Sequence, residues 1–383
     1  MTIFTYLLQK AGHVNYVLNI IIMENKMINM LIKVENVIGI YRNYTCMKQR
    51  YRTLVLTRVT IETVVSFLYL LYILYKVLII EQKIHRVTHY VIIFISVMTI
   101  LNRFTNVIFS IKHTRSYSIF VKDLMAAHNY FKKDPVYNKS LRKLNSGLKI
   151  SLIVYSTILL LVTVANIIVA GSMFEFEVDT AVSMTINMLL DLRFIIENTI
   201  LYIHISLLQY LVKCLNNCVW EFQKKYNIHT INFDVRQKKA LTDEVIAEWG
   251  SVYNNLLNCG KNLSQCFNCQ VRSPFGQILF TSLLMSCFIL VFYLYCAIIV
   301  LMVSQSLLNE GYIVNRTLSQ LHILLCTDTT QKTTYLKKLS FLVKNNPVQI
   351  QCSSKVTLGM YFVPILLSLS VSYAIVFLQF TQL

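Results

Sequence analysis

The sequence predicts an all-α membrane protein, a multi-span helical bundle with cytoplasmic helical extensions. Composition gives the first indication, because 55% of the 383 residues are hydrophobic and only 14% are charged. The mean hydropathy of +0.54 exceeds that of an ordinary soluble domain. The second indication is a series of apolar runs of roughly 20 residues or more, the length a helix needs to cross the hydrocarbon core. The third is that basic residues are concentrated between those runs.

Six apolar segments are long enough to be membrane-spanning helices: Thr57–Ile80, Thr88–Ile111, Lys149–Ser172, Ala181–Val212, Gly276–Ser304 and Thr357–Phe380. They divide the chain into regions in a simple order. We expect a cytoplasmic amino-terminal region, the first four spans, a cytoplasmic helical segment, the fifth span, a cytoplasmic linker helix region and the last span, at residues 1–56, 57–212, 213–275, 276–304, 305–356 and 357–383.

The distribution of basic residues predicts the orientation, because loops rich in Lys and Arg stay on the cytoplasmic side. Residues 1–56 hold seven bases against two acids, and residues 112–147 hold eight against two. The loop 173–180 carries three acids and no base, which indicates the external side. We therefore expect a multi-pass protein with a cytoplasmic amino terminus. The net charge of +18 is explained in the same way, so no nucleic-acid partner is expected.

The fifth predicted span conflicts with this orientation. Residues 305–356 hold six bases against two acids, which favours the cytoplasm, but a single crossing at Gly276–Ser304 places them outside. That segment makes only about 43 Å of helix, which is too short for two full spans. The sequence therefore looks one helix short, and a fusion of a fifth with a sixth span accounts for the conflict.

A helix-packing seam follows the fourth predicted span. Apolar residues recur there in alternating steps of four and three, which places them on one helix face: Val245, Trp249, Val252, Leu256, Cys259, Leu263 and Cys266. Two interpretations remain open at this point. The seam is either a platform for contacts between subunits or one side of an intramolecular helical hairpin.

Enzymatic chemistry is not expected. The sequence contains no phosphate-binding loop, nucleophile elbow or zinc-protease motif, and its nine glycines leave few for loops that hold phosphates. Cys266 and Cys269 form a C-x-x-C pair, but no second pair follows at the spacing of a zinc site. We predict no catalytic residue, no metal and no cofactor.

Polar residues inside the predicted spans form one candidate site, because a charged side chain costs about 2.5 to 3.5 kcal/mol at the bilayer centre. Arg193 and Glu197 are four residues apart and can pair on one helix face. Such a face avoids lipid, so it lines a ligand pocket or polar vestibule, or it forms a structural ion pair between packed helices. The candidate residues in the second and fourth spans are Asn102, Arg103, Asn187, Asp191, Arg193, Glu197 and Asn198.

The last span carries the most specific motif. Ser372 and Tyr373 are followed by five hydrophobic residues and then by Gln379 and Phe380. This run resembles the carboxy-terminal signature of the insect gustatory receptors, which reads Thr-Tyr, five hydrophobic residues, Gln-Phe. Only the first position differs, with serine in place of threonine. Gly359, which opens the last span, also resembles this family.

The resemblance implies a function. Members of the insect gustatory receptor family are seven-span, ligand-gated cation channels that assemble as tetramers around a pore lined by the last helix. It implies that this chain is a plasma-membrane receptor of sensory neurons that opens a nonselective cation pore on binding a small-molecule tastant. Its partners would be the lipid bilayer and copies of itself or related receptors, in a homo- or heterotetramer. The alternatives are a related odorant receptor, a G-protein-coupled receptor and a truncated, non-conducting family member.

The same resemblance gives the motif residues, with Tyr373 and Phe380 among them, candidate roles in a pore. The amide of Gln379 can coordinate permeating cations or bond to a neighbouring subunit, or it lies among the lipid headgroups at the helix end. Ile375, Val376 and Phe377 can form a gate that closes by dewetting, or they face lipid or the bundle.

Overall fold

The computed structural model describes residues 32–33, 35–36, 40–44, 47–75, 104–105, 107–132, 178–231, 242–281, 287–326, 330–353 and 356–381, with isolated residues between 138 and 164. Helices dominate these ranges, and one two-stranded hairpin precedes the last helix. The elements in chain order are α1 Gln49–Tyr75, α2 Thr114–Phe131, α3 Val178–Ile231, α4 Asp243–Thr281, α5 Cys287–Cys326, α6 Thr330–Asn345, β1 Gln351–Ser353, β2 Val356–Thr357 and α7 Phe362–Thr381.

The longest helix, α3, extends well beyond the predicted fourth span. Its 54 residues correspond to about 80 Å of helix, more than twice the thickness of the hydrocarbon core. The helix contains the whole of Ala181–Val212 and continues to Ile231 without a break. Its buried face packs mainly against α5, while α2 packs mainly against α4, and α6 packs on both α5 and α4. The main core lies where these five helices meet.

The seam on α4 packs within the chain. The main core contains six of its seven residues, and Val245 packs against the edge of that core; the six are Trp249, Val252, Leu256, Cys259, Leu263 and Cys266. The Cys259 thiol lies 3.6 Å from the Phe120 carbonyl oxygen, and the Cys266 thiol lies 3.8 Å from that of His113. These contacts support the intramolecular interpretation, in which α4 and α2 form one side of the core.

The residues of the predicted fifth span belong to two helices. Helix α4 ends at Thr281 and α5 begins at Cys287, so Gly276–Ser304 is divided between them. Helix α5 then continues through residues that the sequence analysis assigned to a linker. Hydropathy averages over a window and does not register where one helix ends and the next begins, which explains the difference. Within the described ranges, one helical segment, Leu294–Leu325, is long and apolar enough to cross a membrane.

A short hairpin leads into the last helix. Strands β1 and β2 pair antiparallel, and the Leu358 amide donates to the Ile350 carbonyl oxygen at 2.7 Å. Helix α7 contains no charged residue. Pro364 lies in its first turn, where a missing N–H leaves no helical hydrogen bond unmade.

Candidate functional sites

Helix α7 is packed against the rest of the chain at its first turns. Leu366 is 3% exposed, and Phe362 and Val363 pack against the main core. Farther along, large apolar side chains are open to the surroundings: Leu367 is 46% exposed, Val371 58% and Ile375 51%. An apolar helix with such open faces requires lipid or another subunit to cover it.

The candidate pore residues all lie on the helical backbone of α7. Ser372 and Ile375 are exposed. The side chains of the others lie outside the described residues: Tyr373, Val376, Phe377, Gln379 and Phe380. Their proposed roles therefore remain predictions.

The second candidate site is described only in part. Asn102 and Arg103 lie outside the described residues, as do the side chains of Asn187, Asp191 and Arg193 on α3. The predicted pairing of Arg193 with Glu197 remains a prediction for this reason. Two members of the set, Glu197 and Asn198, are described, and both are buried, with 4% and 8% exposure.

Glu197 belongs to a buried ionisable cluster that the sequence analysis did not predict. An ion pair between Glu35 and Arg42 lies at its centre, and both side chains are almost fully buried. The Arg42 guanidinium stacks 3.7 Å above the centroid of the Phe267 ring. The charge of Glu197 acts on Glu35 across this cluster. The cluster therefore joins the amino-terminal segment to α3 and α4.

Helix α2 contributes an aromatic hydroxyl to the same cluster. The Tyr117 hydroxyl lies 3.4 Å from Nε2 of His204, whose Nδ1 lies 2.7 Å from the Ile200 carbonyl oxygen. A carbonyl oxygen only accepts, so Nδ1 carries the hydrogen of that bond and Nε2 is free to accept from Tyr117. The ring of Phe120 lies beside His204, at 5.3 Å between centroids.

Burial controls the electrostatics of this cluster. It raises the pKa of Glu35 above its ordinary value, and the Arg42 charge opposes that rise. Burial, with the charge of Glu35, also raises the pKa of Tyr117. The pKa of the Cys266 thiol is raised to about 12, mainly by burial. A buried cluster of this kind holds elements together, since each charge requires its partner.

No signal in the sequence distinguished Arg42. It lies in the basic amino-terminal region, where it counts as one of seven residues that predict the orientation. Its partners Glu197 and Phe267 are more than 150 positions away along the chain, so no local spacing connects them. The opposite charge of Glu35, seven residues earlier, is the only local indication of a pair.

Comparison with known proteins identifies the fold. No protein-family model and no curated protein matches the chain. Among solved structures, it is similar to the insect olfactory receptor OR5 from Machilis hrabei in complex with eugenol, with a TM-score of 0.52 and 13% sequence identity. The similarity covers 92% of this chain and 98% of that chain. The chain has the fold of an insect chemosensory receptor. This receptor fold confirms the predicted fold class, and the neighbour is a receptor, as the expectation of a non-enzyme requires.

Proposed function

We propose that the chain is an insect gustatory receptor, a ligand-gated, nonselective cation channel in the plasma membrane of sensory neurons. The observation that carries the proposal is the receptor fold over 92% of the chain, whose last helix bears the Tyr-x5-Gln-Phe motif. The motif favours the gustatory branch. An odorant receptor of the related family is the second candidate, favoured by the olfactory receptor of the same fold.

The register of α7 supports a role for this helix in a pore. Ser368, Ser372 and Ile375 are exposed and follow one another at steps of four and three, which defines one helix face. Seven positions separate Gln379 from Ser372, so the same face includes the position of Gln379. Small hydroxyls and an amide along one stripe of an otherwise apolar helix suit a surface that meets water and ions.

The open faces of α7 also support assembly of several subunits. Val371 and Ile375 are more than half exposed in one chain. Four copies arranged around an axis would bring these helices together and enclose a conduit between them. We therefore propose a homotetramer, or a heterotetramer with related receptors.

The ligand is proposed to be a small molecule. The solved neighbour is an olfactory receptor in complex with eugenol, which supports this class of ligand for the same fold. The candidate pocket remains the polar set of the second and fourth spans. Its described members, Glu197 and Asn198, are buried, which suits either a polar pocket wall or a structural contact.

Expression in cultured cells with patch-clamp recording tests this function. We expect a panel of sugars and bitter compounds to evoke an inward cation current that persists when G-protein signalling is blocked. Activation only by volatile compounds, with eugenol among them, would identify the odorant candidate instead. Surface-expressed protein that gives no ligand-evoked current with either panel would refute the channel proposal.

A further inference from the structure

The segment between α6 and the hairpin is deeply seated in the core. We call residues 346–351 the strap. Val348 and Ile350 are both at most 1% exposed, although the strap has no helical structure. Three residues of α4 form its seat, and their spacing of seven and four places them on one helix face: Tyr253, Gly260 and Ser264.

The seat binds the backbone of the strap at both ends. At one end, the Tyr253 hydroxyl donates to the Asn346 carbonyl oxygen at 2.7 Å. At the other, the Ser264 hydroxyl accepts from the Gln351 amide at 2.9 Å and donates to the Gly260 carbonyl oxygen at 2.7 Å. Because these contacts involve main-chain atoms of the strap, they fix its path.

Gly260 permits the close approach of the strap between these two bonds. A Cβ at this position would lie 3.1 Å from the Gln349 carbonyl oxygen and 3.4 Å from Cγ1 of Val348. The carbonyl belongs to the backbone and cannot rotate away as a side chain can. Gly250, on the same helix, offers a contrast, because a Cβ there would have its nearest contact at 3.9 Å, with Cδ1 of Leu339.

The strap is continuous with the inner end of α7. The Leu358 amide bonds to the Ile350 carbonyl oxygen of the strap, and the Phe362 amide bonds to the Gly359 carbonyl oxygen at 3.1 Å. The first turns of α7 are packed as far as Leu366, and Val371 farther along is 58% exposed. The helix is therefore held at one end and open beyond it.

We propose that the seat of Tyr253, Gly260 and Ser264 is the fixed end of a lever: it holds the strap, and through it the inner end of α7, so that α7 pivots about this point when the channel opens. The inference rests on the proposed function, because it takes α7 as the pore helix. It assigns α4 a positioning role for a helix that contacts it only near the strap.

Hydrogen exchange of the purified full-length chain tests the mechanical part without any need for current. The variants are Ser264→Ala, Tyr253→Phe and Gly260→Ala, with Gly250→Ala as the matched control. Loss of one hydrogen bond is expected to speed exchange at 346–351 and at 358–366 about fivefold to tenfold. Gly250→Ala should leave both segments unchanged. Unaltered exchange at 358–366 in all seat variants would overturn the inference.

Recordings test the link to gating. At matched surface expression, we expect the seat variants to require at least about threefold more agonist for half-maximal current, because an inner end that slides transmits less of the ligand-driven motion. Gly250→Ala should retain the wild-type response. Wild-type dose–response curves in every seat variant would overturn the lever, whereas absence of current in the wild type would count against the proposed function and leave the exchange experiment to decide the role of the seat.

Discussion

At the scale of single residues, Arg42 is the most consequential side chain in the described core. It is 2% exposed and pairs with Glu35, with Glu197 nearby. We expect Arg42→Met to destabilise the chain by about 3 kcal/mol, because it leaves buried acids without their counter-charge. The measurement is the thermal unfolding of detergent-solubilised protein, followed by size-exclusion fluorescence.

The control for this prediction is a second Arg–Glu pair of the same chain. Arg58 and Glu62 on α1 form an i,i+4 pair in which the arginine is 44% exposed. Arg58→Met should therefore cost less than about 1 kcal/mol, as exposed pairs do. Equal losses in the two variants would show that burial does not set the value of the Arg42 pair.

The buried cysteines of α4 give a second prediction at this scale. Burial raises the pKa of Cys266 to about 12, and the thiolate is the reactive form. At pH 8 we expect Cys266 to resist alkylation in the native protein and to react after denaturation. Mass spectrometry of tryptic peptides measures this, with the half-buried Cys218 of α3 as the comparison. Rapid native labelling of Cys266 would contradict its placement in the seam.

At the scale of elements, α7 carries the prediction for conduction. The double variant Gln379→Leu with Tyr373→Ala is expected to change the permeability ratios and to lower the agonist-evoked current severalfold, because it removes an amide from the proposed pore stripe. Ser372→Thr, which supplies the residue of the family signature, is the matched control and should conduct as the wild type does. Unchanged permeability in the double variant would remove α7 from the pore.

Elements differ in how well the sequence predicts them, and the reason is the range of the interactions. The seam on α4 was predicted residue by residue because its signal is a local periodicity, and the core contains it. The end of α4 at Thr281 and the long extent of α5 were not predicted, because an apolar run has no direction. The Arg42 cluster and the seat of the strap depend on contacts across the chain, which no spacing within one helix encodes.

At the scale of the whole molecule, the division of Gly276–Ser304 between two helices bears on topology. The charge distribution requires an even number of passes between residues 275 and 305, and two helices provide a route for them. We predict that epitope tags at the amino terminus and at residues 327–329 are hidden in intact cells, and that a tag within 173–180 is accessible. External labelling at 327–329 would contradict this arrangement.

The uninterrupted course of α3 makes its phase rigid. Each added residue turns everything beyond it by about 100°, so a single insertion near Ile203 would swing Leu208, Leu211 and Leu215, now all buried, out of the core. Seven added residues make nearly two whole turns and restore the facing, although they lengthen the rod by about 10 Å. Evolution can therefore resize this helix only in steps of about two turns, while the connections around it remain free to vary by one residue at a time.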